Sequence, residues 1–147
     1  FSATSGGGAY LNGEPLSVTR VQHLADSFLA TGFPYDRRAA LDNNVQRLAH
    51  FLRRSRGVRR AGAAVLDLAY VACGRFDGFW EIRLGPWDVA AGILIVREAG
   101  GVVSDFSGGA DCLSGAQIVA SNGRIHQQML QVIQLGASAP RPERVET

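Results

Sequence analysis

The stretch Trp80-Glu81-Ile82-Arg83-Leu84-Gly85-Pro86-Trp87-Asp88-Val89-Ala90-Ala91-Gly92 restricts the fold most, because it ends a strand-like aromatic run and opens a helix within a few residues. Pro86 has a preset φ and no N–H to lose, which suits a first helical turn, and the apolar run over residues 89–96 supplies a buried body. Gly100 and Gly101 then stop the helix. Asp88 is thereby held near the helix N-terminus, where unpaired N–H groups and the positive end of the macrodipole favour a carboxylate, an anion or a metal–phosphate cluster. A plain capping role fits the same pattern. Residues 76–84 form the preceding strand, with Glu81 near its end.

Taken in order, the chain first shows Asn12-Gly13 between short apolar runs, which predicts a tight hairpin because both turn positions need positive φ. Gly6-Gly7-Gly8 lacks the Lys-Ser/Thr of a phosphate loop and reads as a flexible strand edge. Residues 27–31 are a buried strand running into Gly32-Phe33-Pro34. Asp36 is expected to cap a helix over residues 37–54, with Leu41, Val45, Leu48 and Leu52 as its apolar stripe. Its exit carries Arg53, Arg54, Arg56, Arg59 and Arg60. Cations suit any helix C-terminus, and no aromatic residues interleave to stack nucleic-acid bases, so the solvated reading leads over a phosphate or nucleic-acid contact. Residues 61–74 form a small-residue helix closed by Gly74, whose opening turn at Gly62, Ala63 and Ala64 leaves backbone N–H groups open to a ligand. Strands over 101–106 and 117–120 follow the Pro86 helix, and Asn122 caps a last helix carrying Ile125, Met129, Val132 and Ile133. The alternation predicts a layered α/β (or α+β) domain with helices packed on a sheet.

A length of 147 residues is that of one ordinary domain, and no apolar run approaches the roughly 18–20 residues of a membrane span. A net charge of +2 argues for no particular partner. Cys73 and Cys112 have neither metal-ligand spacing nor the count of a disulfide framework, so a reducing cytoplasm is expected. His23, His50 and His126 lack a partner motif and receive no role. The opening Phe1-Ser2-Ala3-Thr4-Ser5 reads like the middle of a strand, so a fragment is expected.

Residues 62–109 resemble the C-terminal half of the inositol monophosphatase family. Trp87-Asp88-Val89-Ala90-Ala91-Gly92 followed by Glu98-Ala99-Gly100-Gly101 matches that family's second signature, and segments at residues 7–13, 31–34 and 120–122 resemble family segments in the same order. The resemblance covers nearly the whole chain. It implies the αβα layers of the inositol monophosphatase-like sandwich, with residues 1–19 as remnant strands of a preceding lobe and 20–135 as the C-terminal α/β domain; residues 136–147, with two prolines and mixed charge, read by themselves as a disordered tail. It further implies Asp88 as a Mg²⁺ ligand beside the substrate hydroxyls, Glu81 as the contact to the sugar or cyclitol ring, and Gly62, Ala63 and Ala64 as the turn whose backbone faces substrate. Ala63 departs from the family's hydroxyl residue there. Tyr35, Asp36 and Arg37 fall in a substrate loop that does not match position by position.

The family's first signature, Asp-Pro-x-Asp-Gly-Thr, and its upstream glutamate do not occur in these residues. One aspartate is a poor Mg²⁺ site. The resemblance therefore implies part of a Mg²⁺-dependent phosphomonoesterase, homodimeric, acting on inositol monophosphate or a similar small phosphorylated polyol and inactive as this chain alone. The competing expectation is a non-catalytic interaction or dimerisation domain that meets RNA or an acidic protein through its arginines.

Overall fold

The computed structural model describes residues 1–36, 38 and 42–137. An antiparallel three-stranded sheet comprises β1 (Ser2–Thr4), β2 (Gly8–Leu11) and β3 (Glu14–Pro15). A five-stranded sheet follows, built from β4 (Phe28–Thr31), β5 (Gly57–Arg59), β6 (Gly78–Ile82), β7 (Val102–Ser104) and β8 (Gln117–Ser121) in the order β5-β4-β6-β8-β7. The β4, β5 and β6 strands run parallel, whereas β8 pairs antiparallel with both β6 and β7. Four α-helices complete the described residues: α1 (Val45–Leu52), α2 (Ala64–Ala72), α3 (Pro86–Glu98) and α4 (His126–Ala137).

Alternation along β6 sorts these elements into layers. Phe79 joins Leu68, Val71, Val89 and Val96 in the core under α2 and α3, while Trp80 and Ile82 join Phe51, Met129 and Ile133 under α1 and α4. A strand buried on both faces reads as a near-continuous apolar run, and β6, all five of whose residues are buried, departs from that only at Glu81. Gly92 lets α2 and α3 close up, since a side chain there would run into Leu68. The small sheet covers the outer side of α3, bringing Ala3 and Ala9 to the same core. Glu98, at the end of α3, accepts hydrogen bonds from the N–H groups of Gly6 (2.8 Å) and Gly8 (2.9 Å), so the triple-glycine turn is bound rather than free.

The expected hairpin forms, with Asn12 at φ 52° and Gly13 at φ 86°. The expected helix over residues 37–54 is shorter: it begins at Val45, and of the preceding residues, 37 and 39–41 (Leu41 among them) lie outside the described set. Asp36 does not cap it but pairs with Arg83 at 2.6 Å. Its buried face is also not the expected stripe, because Val45 and Leu52 are exposed while Arg47 and Phe51 are buried. Arg47 can turn inward because Asp42 pairs with it and the Phe106 ring lies 4.9 Å from its guanidinium carbon. The arginine-rich exit contains a strand, β5, where sequence periodicity predicts none, since its backbone pairs with β4 while Val58 alone packs against the core and Arg59 stays exposed. At the other end, α4 continues through Gly136 and Ala137, and the rest of the expected tail lies outside the described residues.

Two buried polar networks fasten the layers. Asn44, at φ 69°, accepts from Trp80 Nε1 (2.8 Å) and donates to Thr31 Oγ1 (2.9 Å) and to the Gly32 carbonyl (2.8 Å). Thr31 in turn donates to the Trp80 carbonyl at 2.7 Å. In the second, Ser104 donates to the Asp105 carbonyl and so accepts from His126 Nε2 at 2.8 Å. Ser121, which accepts from the Gly123 N–H, donates to His126 Nδ1 at 2.9 Å. Both ring nitrogens are thereby satisfied in the neutral form, and burial holds the imidazole below its ordinary pKa.

Two outcomes follow. Asn44→Ala strands the Trp80 N–H and the Gly32 carbonyl in the interior and should cost about 2–4 kcal/mol in urea unfolding. A buried neutral histidine binds fewer protons folded than unfolded, so its contribution is present above about pH 6.5 and is lost as pH falls through its lowered value. The loss of stability between pH 7.5 and pH 5 should accordingly shrink in His126→Gln.

Candidate functional site

The parallel strands β4 and β6 both end at one edge of the large sheet, and the site lies there. In open α/β sheets the carboxyl ends of parallel strands leave a crevice bordered by helix N-termini. Here those termini belong to α2 and α3.

Asp88 sits in the first turn of α3, behind Pro86, as the local pattern requires. Its Oδ2 accepts from the Gly85 N–H at 2.8 Å, so the capping role is real. That bond occupies one oxygen and leaves Asp88 half-exposed with Oδ1 uncommitted. The residue can cap the helix and still offer a ligand atom outward.

Glu81 lies near the end of β6 on the face directed at α2 and α3, and is 8% exposed. A methyl group on Gly32 would fall directly on its carboxylate, so the bare backbone after β4 is what gives this side chain room. Burial raises its pKa to about 7, helped by the negative charges of Asp67 and Asp88 and opposed by Arg60.

Asp67, one turn into α2, is a residue that sequence periodicity does not single out. It is 1% exposed, and neither carboxylate oxygen has a hydrogen-bond partner. Burial raises its pKa to about 6 against the opposing charge of Arg60. The available signal was an acid within an otherwise apolar run, Ala64-Val65-Leu66-Asp67-Leu68-Ala69.

Gly62, Ala63 and Ala64 precede and open α2. Gly62 takes φ 94°, and a side chain there would approach Arg60 Nη1. Ala63 occupies the N-cap position without a side-chain cap, so no hydroxyl competes for the first N–H groups of the helix. Gly62 and Ala63 are exposed and Ala64 half-buried, which keeps this turn open to solvent.

Arg60 links the pieces: its guanidinium reaches toward Gly62 and its charge acts on both Asp67 and Glu81. Glu81 in turn senses Asp88. The structure thus brings Gly62, Glu81 and Asp88 to one edge, together with Arg60, Asp67 and Gly32. Tyr35 and Asp36 are exposed, and Arg37 lies outside the described residues. Among the described residues no group of three or more His, Cys, Asp or Glu side chains could hold a metal ion.

A carboxyl group whose folded pKa is raised disfavours the folded state once the unfolded form ionises. Stability from this source is full below about pH 4.5 and falls as pH rises through 7. Glu81→Gln should therefore be more stable than the parent at pH 8, by about 2 kcal/mol, with the difference vanishing near pH 4. Equal unfolding midpoints at pH 8 would contradict the burial assigned to this side chain.

A sequence profile of the inositol monophosphatase family matches residues 1–136. The inositol-1-monophosphatase of Synechocystis sp. is 48% identical over 133 residues, covering 90% of this chain and 46% of that protein. The Nus factor SuhB of Escherichia coli is 48% identical over 130 residues, covering 88% of this chain and 49% of that protein. The structure of inositol monophosphatase from Anabaena superposes with a TM-score of 0.88 at 42% identity, covering 90% of this chain and 53% of that one. The chain spans about half the length of the curated relatives it matches. With the profile running through both sheets and nearly to the end of α4, the chain belongs to the inositol monophosphatase family.

Proposed function

We propose that these residues form the substrate-facing part of a Mg²⁺-dependent phosphomonoesterase that hydrolyses inositol monophosphate or a similar small phosphorylated polyol. The observation that carries the proposal is the meeting, at the carboxyl edge of β4 and β6, of an uncapped helix N-terminus, a buried glutamate and an aspartate with one oxygen free. Those three features answer the three parts of such a substrate.

The uncapped first turn of α2 offers backbone N–H groups to an oxyanion, and the exposed Arg60 adds positive charge beside it. Glu81, as a carboxylate, accepts hydrogen bonds from ring hydroxyls. With its pKa near 7 it is the better acceptor on the alkaline side of neutrality. Asp88 keeps Oδ2 on the Gly85 N–H, which leaves Oδ1 as a ligand atom for one Mg²⁺.

A bound Mg²⁺ would lower the pKa of the attacking water and neutralise charge on the transferring phosphoryl group. Asp88 suits this ion as a contributing ligand, because Mg²⁺ is held through one or two carboxylates together with waters and substrate phosphate. The remaining ligands would be those of the family's Asp-Pro-x-Asp-Gly-Thr segment and its upstream glutamate, neither of which occurs in these residues. Two free thiols, Cys73 half-buried and Cys112 buried, and the lack of any described helix long and apolar enough to cross a membrane are in keeping with a reducing cytoplasm.

Asp88→Asn, made in a chain that also carries the Asp-Pro-x-Asp-Gly-Thr segment, keeps an oxygen for the Gly85 N–H but loses the charge. Phosphate release from inositol 1-phosphate should fall by roughly a hundredfold or more while thermal stability is retained. Unchanged Mg²⁺-dependent turnover would overturn the proposal.

A further inference from the structure

The run Arg53, Arg54, Arg56, Arg59 and Arg60 looks like one basic patch in sequence, yet the fold divides it. Arg60 turns toward Glu81, and Arg54 contacts the carbonyl and ring of His50. Arg56 and Arg59 instead meet Arg75, from the turn after α2, in a cleft of about 530 Å³ at the amino ends of β4 and β5. That cleft lies at the opposite end of β4 from Gly32 and Glu81, roughly 13 Å along the strand.

We propose that this cleft is a second anion site, taking a small ligand that bears a dianionic or polyanionic phosphate group. Its volume falls in the range of small-molecule sites. None of the three guanidinium groups makes an ion pair with a described residue, so their donors are available. Two of them are held in place: Arg59 lies over the Phe28 ring at 4.8 Å and Arg75 over the Tyr70 ring at 4.6 Å. Stacking orients the planar fork without using its N–H groups, which lowers the ordering cost when an oxyanion binds. Gly57 and Gly74 leave bare backbone on the cleft wall.

Two aspartates also line the cleft, and they differ. Asp77 is buried, and its two oxygens accept from Thr19 Oγ1 (2.6 Å) and from the Phe28 N–H (2.6 Å), so it serves the fold. Asp26 is exposed at the rim. Three guanidinium charges against these two carboxylates favour a ligand whose phosphate oxygens can engage the arginines together over a monovalent anion. A nucleic-acid surface fits less well: the cleft is concave and small, and the neighbouring arginines Arg54 and Arg60 point to other partners.

Inorganic pyrophosphate is the probe, titrated at low ionic strength with EDTA present and followed by calorimetry and amide chemical shifts. Shifts are expected over residues 56–59 and 74–77. The Arg56→Gln/Arg75→Gln double variant should bind about a hundredfold more weakly, tenfold for each arginine, and Arg97→Gln, on α3 beside Cys112 and outside the cleft, should bind as the parent does. Should the double variant fail to fold, Arg56→Glu alone, at an exposed position, should abolish binding. The proposal is overturned if the cleft substitutions leave binding intact, or if the amide shifts fall over residues 60–64 and 85–88 instead, because the ligand is then at the other edge. Equal competition by chloride would mean an adventitious ion only. Binding of a short RNA without binding of pyrophosphate would replace the small-ligand site with a nucleic-acid surface.

Discussion

The Asn44 side chain holds the site edge in shape. Three hydrogen bonds from one buried amide join the turn before α1, the end of β4 and the indole of Trp80 in β6, and no polar group of that amide is left over. Trp80 also stacks on Phe51 of α1, with ring centroids 4.0 Å apart, so the amide and the stack reinforce one register between helix and sheet. The consequence reaches the opposite face of the sheet. By fixing the Gly32 backbone, the network fixes the wall against which the Glu81 carboxylate lies.

That edge is built at some expense to stability. Two carboxyl groups, Asp67 and Glu81, are buried with no described residue donating a hydrogen bond to either, and the first turn of α2 has no side-chain cap. Each feature opposes folding on its own, and all three are within reach of Arg60. The apolar cores on both faces of β6 offset them. Local conflicts of this kind concentrated at one end of an otherwise consistent structure are what a binding site leaves behind. The capping bond of Asp88 is the exception, a local stabilisation that coexists with a free ligand atom.

Much of this organisation was legible in the residue order. Period, capping and turn chemistry are local, so the Asn12-Gly13 hairpin, the central strand β6 and the Pro86 helix all appear where pattern places them. Asp88 could be singled out because a helix start announces itself, whereas Glu81, placed by pattern only near a strand end, gained its role from the family resemblance. Pattern failed where tertiary contacts decide. The β5 strand is defined by its pairing with β4 rather than by its own arginine-rich residues, and the buried face of α1 is set by an ion pair and a ring contact that invert the expected stripe. Asn44 and Gly32 act through Trp80 and Glu81, far along the chain, and Asp67 acts through Glu81 on another element, which no local pattern reports. The division of the arginine run between two ends of the sheet is likewise a property of the fold alone.

The candidate site turns on a largely buried glutamate that feels two other carboxylates at the carboxyl edge of the sheet. The most direct test is the titration of the Glu81 side-chain carboxyl by ¹³C NMR in the folded chain. A transition near pH 7 that moves toward ordinary glutamate values in Asp67→Asn is the expected result. Titration near 4.5, unaffected by Asp67, would mean that Glu81 faces solvent and that no buried carboxylate site exists at this edge.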